Sequence, residues 1–263
     1  MKISLIISFY KNTTALELII KALEFQTFKD FEVIIAEDDN NLKTREFISQ
    51  VQENSKLIIK HICQDKDDGF RKNKILNQAI LASESDFIVF LDGDCIPHKG
   101  FLQAYSKCND SNTAFFGRRV MVGPKHTQKM YINKNLNDLR FWKLVFSDTT
   151  RLKYALYIPF LNNYRETGIW GCNWGIAKNL LIAVNGFDED YITAGVGEDI
   201  DIEFRLKVLG VKLKSTRFSA LQFHLHHPPN YSNPDVQIGY AQLEEKKTAN
   251  LSFCKNGIVK SKT

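Results

Sequence analysis

Phe87-Ile88-Val89-Phe90-Leu91-Asp92-Gly93-Asp94 is the stretch on which the fold assignment turns. An unbroken apolar run of β-branched and aromatic residues fits a strand buried on both faces, as in parallel sheets covered by helices. Ligands in such sheets bind beyond the carboxyl ends of the strands. Two carboxylates flanking a glycine stand at that edge here. One explanation is a β-turn, where Asp and Gly are simply favoured. The other is a hard divalent cation held through carboxylate oxygens, with substrate phosphates filling further positions.

The residues before this stretch alternate strand and helix. Ile3 to Ser8, Phe31 to Ala36 and Leu57 to Ile62 read as strands. Leu16, Ile19, Ile20 and Leu23 recur at helical spacing. Thr44 to Gln52 reads as a second helix, and Ile75, Ala79 and Ile80 mark a third after Gly69. This alternation predicts βαβ units, hence an α/β fold with a mostly parallel, Rossmann-like central sheet flanked by helices. Acidic stretches end three of the strands: Glu37-Asp38-Asp39, Asp65-Lys66-Asp67-Asp68 and Asp92-Gly93-Asp94. Carboxylates gathered there repel one another unless something positive sits among them, and a metal ion with a diphosphate satisfies that need.

Composition narrows the class. Hydrophobic residues make up 44% of the 263 and charged residues 25%, the balance of a globular protein with a large core. The net charge of +5 is spread along the chain, which suits anionic small ligands and gives no nucleic-acid signature. The five cysteines form no CxxC pair, so neither a zinc cluster nor a disulfide framework is indicated, and reduced thiols in a cytoplasmic protein are expected. The apolar run after Met1-Lys2 is too short for a signal segment, and no stretch approaches the ~20 apolar residues of a membrane span. A soluble or peripherally attached protein is therefore expected.

Further along, Gly197-Glu198-Asp199 opens a helix carrying Ile202, Leu206 and Leu209 on one face and ending at Gly210. Acidic residues favour a first helical turn, yet Glu198, Asp199, Asp201 and Glu203 exceed what capping needs. A general base that takes a proton from an attacking hydroxyl is the functional reading. Val211-Lys212-Leu213 reads as a strand. His224-Leu225-His226-His227-Pro228 follows an apolar segment; on a strand His224 and His226 share a side, and a His beside a carboxylate completes metal sites. The alternative is a polar loop. Gly69-Phe70-Arg71-Lys72-Asn73-Lys74 is either a solvated basic face or a helix start that meets a diphosphate. From Phe141 to Tyr164, Lys143, Arg151, Lys153 and, just beyond, Arg165 interleave with aromatics, as on a helix at a membrane surface or on one packed against the sheet. The tail Lys255 to Thr263 is expected to fray.

Taken together, these pieces resemble the family 2 glycosyltransferases of the GT-A fold. The resemblance runs from the Ile3–Tyr10 segment through Phe31–Asp39, Asp67-Asp68-Gly69-Phe70-Arg71 with Asn77, and Phe90–Pro97. It continues in Trp170-Gly171-Cys172-Asn173, Asn185-Gly186-Phe187-Asp188-Glu189, Gly197–Asp201 and His224–Pro228. The late part looks most like the galactosyltransferase and N-acetylgalactosaminyltransferase branch, including bacterial capsule polymerases. Such membership implies a UDP-sugar donor, Mn²⁺ or Mg²⁺ on its diphosphate, and inversion at the anomeric carbon. It implies one domain: a nucleotide-sugar-binding half over 1–110, and an acceptor-binding and catalytic half over 111–263 with a C-terminal acceptor-side extension.

By position, Asp94 is then the principal metal ligand, with Asp92 and Gly93 at the donor. His224 completes the metal site, assisted by His226 or His227. Tyr10, Asp38 and Asp65 contact uridine, Arg71 the uracil or phosphate, and Trp170 lines the donor site. Asp199 is the base and Glu198 binds acceptor or donor sugar. The sequence departs from the family where Glu37-Asp38-Asp39 replaces a pair of aspartates and where Phe9-Tyr10-Lys11-Asn12 lacks a proline. The implied acceptor is a saccharide or lipid-linked saccharide of bacterial surface polysaccharide or lipooligosaccharide. Two alternatives remain: a haloacid-dehalogenase-type phosphohydrolase with a nucleophilic Asp, and a non-catalytic nucleotide-sugar-binding module.

Overall fold

β1 (Ile3–Phe9), α1 (Thr13–Glu24), β2 (Phe31–Glu37), α2 (Leu42–Asn54), β3 (Ile58–Cys63), α3 (Lys72–Ala82) and β4 (Phe87–Asp92) alternate as the periodicity predicts. The computed structural model describes residues 2–161, 168–195, 198–228 and 232–260. β2 is buried throughout and β4 through Leu91, which is why both read as apolar runs. Helix α1 turns Leu16, Ile19, Ile20 and Leu23 into the core, and the Asn12 side chain caps it by accepting from Ala15 N.

The chain continues through β5 (Cys95–Pro97), α4 (Phe101–Tyr105), β6 (Thr113–Phe116), β7 (Arg118–Met121), α5 (Pro124–Asn133) and α6 (Phe141–Val145). It closes with β8 (Asn173–Ala177), α7 (Lys178–Ala183), α8 (Asp199–Val208), β9 (Lys212–Ser215), β10 (Leu221–His224) and α9 (Asn233–Thr248). Among the described residues the strands form a seven-stranded sheet in the order β3-β2-β1-β4-β8-β6-β9 and a three-stranded sheet in the order β5-β10-β7. Strand β8 runs antiparallel to both neighbours, and the other pairings of the large sheet are parallel. One apolar layer packs α1 against the sheet, and the opposite layer packs α3 and α8. The strand order reverses at β1 and β4, whose carboxyl ends meet at Ser8 and Asp92. That reversal opens the crevice in which ligands of such sheets bind.

Two expectations need correction. A long amphipathic helix over residues 141–164 does not form among the described residues, because α6 ends at Val145 and a short 3₁₀ turn follows at Leu152–Tyr154. Tyr164 and Arg165 lie outside the described residues. The tail is tied down rather than frayed as far as Lys260. Asn185 Nδ2 donates to the carbonyls of Cys254 and Val259, both at 2.8 Å, and Val259 N returns a bond to Asn185 Oδ1. Asn185 itself sits at φ 65, a backbone conformation that Asn tolerates.

Helix α8 is anchored by a buried ion pair. Arg205 and Asp201 are both wholly buried, with Nη2 2.7 Å from Oδ2. Arg205 Nη1 also donates to the carbonyls of Val184 (2.6 Å) and Gly186 (2.8 Å), which follow the end of α7. Arg205→Met strands those acceptors in the core. The expected cost is about 3 kcal/mol, seen as a lower urea midpoint. An unchanged midpoint would contradict this role.

Candidate active site

The Asp92–Asp94 turn is locked onto the end of β1. Gly93 N donates to Ser8 O at 2.7 Å, and Ser8 Oγ donates to Asp92 Oδ1 at 2.7 Å. A Cβ on Gly93 would lie 2.8 Å from Ser8 O and 3.2 Å from Phe9 Cα, so only glycine allows this approach. Asp92 and Asp94 therefore leave the turn in fixed directions.

Asp92 meets Lys72. The ammonium lies 2.9 Å from Asp92 Oδ1 and 2.7 Å from Glu198 Oε1, with only 16% of the Lys72 side chain exposed. Neither sequence explanation of the basic run covers this: Lys72 is a half-hidden bridge between two carboxylates from distant parts of the chain. A signal for it existed. Lys72 is the first residue of α3, where the helix dipole disfavours a cation, so its position calls for carboxylate partners. Burial weakens the ammonium form, but the two carboxylates outweigh it and hold Lys72 charged.

Asp94 faces the histidines. His227 Nε2 lies 2.9 Å and His224 Nε2 3.4 Å from Asp94 Oδ2, and Cys95 Sγ donates to Oδ1 at 3.1 Å. The three offered ligand atoms lie within 4.8 Å of one another. Strand β10 ends at His224, so the two-residue alternation does not reach His226, whose backbone N–H bonds Thr127 Oγ1 instead. His227, not His226, completes the group with Asp94. Burial pushes the Asp94 carboxyl up, but the imidazoles and Cys95 more than offset that and hold it well below the usual range. Burial lowers His224, while the Asp94 hydrogen bond raises His227.

The acidic run at α8 divides by role. Asp201 and Glu203 are structural: Asp201 pairs with Arg205 and Lys246, and Glu203 accepts from Ile169 N and pairs with Lys207. Glu198 and Asp199 face the crevice. Asp199 Oδ2 accepts from Gly171 N at 3.2 Å and Oδ1 from Ile200 N at 2.8 Å. Burial pushes Asp199 up. Burial, with Asp92 and Asp199 adding to it against Lys72, takes Glu198 to about 7. Gly197 lies outside the described residues. Trp170 precedes Gly171, whose N–H holds Asp199, and is covered by guanidinium groups, Arg118 at 4.7 Å and Arg151 at 5.1 Å from the ring centroid.

The expected uridine contacts are placed less uniformly. Asp38 is buried and accepts from Arg71 N (3.0 Å) and Gln64 Nε2 (3.2 Å), so it fixes the start of α3; burial raises its pKa. The Arg71 side chain donates to Phe70 O and reaches towards Asp68. Tyr10 is exposed, and its hydroxyl donates to Asp67 at 3.1 Å, where Lys11 also pairs. Asp65 supplies its backbone carbonyl to Asn40. Asp67 is thus the carboxylate that meets Tyr10, and the sequence spacing alone does not distinguish it from Asp65. Asn77 is structural: it donates to Phe187 O and accepts from Phe187 N.

Comparison with known proteins places the fold and the family. A glucosyltransferase of Campylobacter jejuni, described as acting on GalNAc(5)-diNAcBac-PP-undecaprenol with β-1,3 linkage, is 26% identical over 136 residues, which are 51% of this chain and 43% of that protein. This chain thus spans less than half the length of that relative. Two solved structures share the fold. The mannosyltransferase PcManGT from Pyrobaculum calidifontis, in complex with GDP-Man and Mn²⁺, has a TM-score of 0.63 at 16% identity over 94% of this chain and 64% of its own. S. aureus TarS 1–349, in complex with UDP-GlcNAc, has a TM-score of 0.62 at 17% identity over 94% of this chain and 66% of its own. Residues 4–184, well over half of the chain, match Glycosyl transferase family 2. The chain therefore belongs to Glycosyl transferase family 2.

Proposed function

We propose that this enzyme moves a sugar from a UDP-sugar to a saccharide acceptor by direct, inverting displacement assisted by a divalent cation. The observation that carries the reading is the joining of two groups at one sheet edge: Asp94 with His224 and His227, and Asp92 with Glu198–Asp199 through Lys72. Galactose or an N-acetylhexosamine is the favoured sugar on the resemblance of the late motifs. The UDP-GlcNAc held by TarS supports a uridine donor, and the Mn²⁺ held by PcManGT supports a metal.

The residues suit such a cation. One carboxylate and two imidazoles within 4.8 Å form an O,N,N set with room for diphosphate oxygens. Imidazole nitrogen is a poor ligand for Mg²⁺, which prefers oxygen, so Mn²⁺ fits better. When bound, the cation would neutralise charge growing on the departing nucleoside diphosphate. The chain's own residues do the rest. Asp199 accepts the proton of the acceptor hydroxyl, and its raised pKa strengthens it as a base. Gly171 N orients its carboxylate. Glu198 and Asp92 hold the sugar side of the crevice, Tyr10, Asp38, Asp65 and Arg71 the nucleoside side, and Trp170 walls it. On this reading residues 1–110 carry the donor and 111–263 the acceptor.

A lipid-linked acceptor at a membrane surface fits the exposed aromatics. Trp142 is 72% exposed, Phe146 87% and Phe160 86%. Trp142 and Phe146 line a groove of about 820 Å³ with Lys125, Lys129 and Lys143. The acceptor named in the Campylobacter relative is undecaprenol-linked. No described helix is long and apolar enough to cross a membrane. Peripheral contact at the cytoplasmic face is part of the same proposal. A phosphohydrolase is disfavoured because residues 4–184 match Glycosyl transferase family 2.

Asp199→Asn is expected to cut transfer ~10²–10⁴-fold while keeping UDP affinity; wild-type turnover would sink the base assignment. Asp94→Ala is expected to abolish the Mn²⁺ dependence of UDP binding in calorimetry, and an unchanged metal effect would refute its role. The base works deprotonated and its pKa is raised. The rate should therefore rise with pH through an apparent pKa above the ordinary ~4 of a carboxylate. A pH–rate profile with its acid limb near 4 would contradict this.

A further inference from the structure

The three-stranded sheet presents one polar face to the crevice. Strand β7 pairs β10 in parallel with Arg119 opposite Gln222 and Met121 opposite His224, and β5 sets Cys95 opposite His224. Paired strand residues share a face, so Arg119, Gln222, His224 and Cys95 lie on one side. His224 on that face approaches Asp94, and Cys95 bonds to it, so the face looks into the donor site.

Several polar atoms on this face are buried without a hydrogen-bond partner among the described residues: Arg119 Nε, Gln222 Oε1 and Nε2, and His224 Nδ1. Gln222 is completely buried. Buried polar groups are ordinarily bonded, so this face is a polar wall behind the crevice rather than part of the apolar core. Arg119 stands out because it is a cation. Its guanidinium lies 5.6 Å from the Trp170 ring centroid and pairs with no carboxylate among the described residues. It is close enough to Asp92, Asp94 and His224 for their charges to act on one another.

We propose that Arg119 is a leaving-group residue: its guanidinium donates to the diphosphate of the donor. The assignment rests on the donor-site reading above. As the acceptor oxygen bonds the anomeric carbon, the bond from that carbon to the diphosphate oxygen breaks and its electron pair stays on that oxygen. The acceptor proton passes to Asp199. Arg119 meets the oxygen whose charge grows, so its contact strengthens along the reaction and is stronger to UDP than to a UDP-sugar.

The test compares wild type, Arg119→Met and Arg119→Lys, titrated with UDP and with UDP-N-acetylglucosamine or UDP-galactose in Mn²⁺, with turnover measured alongside. Arg119→Met is expected to weaken UDP about tenfold, to weaken the UDP-sugar less, and to lower kcat ~10²–10³-fold. Arg119→Lys is expected to recover part of both losses. The melting temperature is measured alongside to show that each variant is folded. A Met variant that binds UDP and turns over like wild type overturns the assignment. So does one that loses the UDP-sugar but keeps UDP, which would place the contact on the sugar. Wild type that binds no uridine nucleotide with Mn²⁺ fails at the donor-site reading itself and takes the assignment with it.

Discussion

Lys72 holds apart and together two carboxylates that would otherwise repel one another. Asp92 arrives on β4 and Glu198 at the start of α8, and one ammonium reaches both within 2.9 Å. The span between the two halves of the chain at the crevice is thereby fixed by a charge pairing rather than by apolar packing alone. Glu198 precedes Asp199 directly, so the Lys72 bridge also sets where the base stands relative to the Asp92-Gly93-Asp94 turn. Such a partly buried triad gains little net stability, because desolvation opposes it, but it specifies a single arrangement of these groups.

The same crevice separates carboxylates by environment. Asp94 faces two imidazoles and is held ionised. Glu198 and Asp199 are buried near one another and near Asp92, and both are pushed up. Titratable groups driven in opposite directions at one site are what the proposed division between metal ligand and base requires. Arg119 adds a cation on the far wall, where Trp170 and the β7–β10 face meet.

Much of this was legible in the chain. Apolar runs and helical spacing gave β1 to β4 and their helices, because strands buried on both faces leave a continuous pattern. Asp92 and Asp94 announced themselves by following an apolar strand, and Glu198 and Asp199 by opening a helix with more carboxylates than capping needs. Other features depend on contacts between segments far apart. Lys72 reads as one of several basic residues until Glu198 is brought to it. Asp201 resembles Asp199 until Arg205 claims it in the core. The choice of His227 over His226 follows from where β10 stops, which alternation alone does not mark. Arg119 lies on a four-residue strand in the region of weakest pattern, and its meaning comes from the register with Gln222.

The central claim is a single displacement at the anomeric carbon, with Asp199 on the acceptor side and the diphosphate on the other. Proton NMR of the first product formed from α-linked UDP-N-acetylglucosamine or UDP-galactose tests it most directly. Direct displacement requires a new β linkage, read from the coupling of the anomeric proton. An α linkage in that product would contradict it.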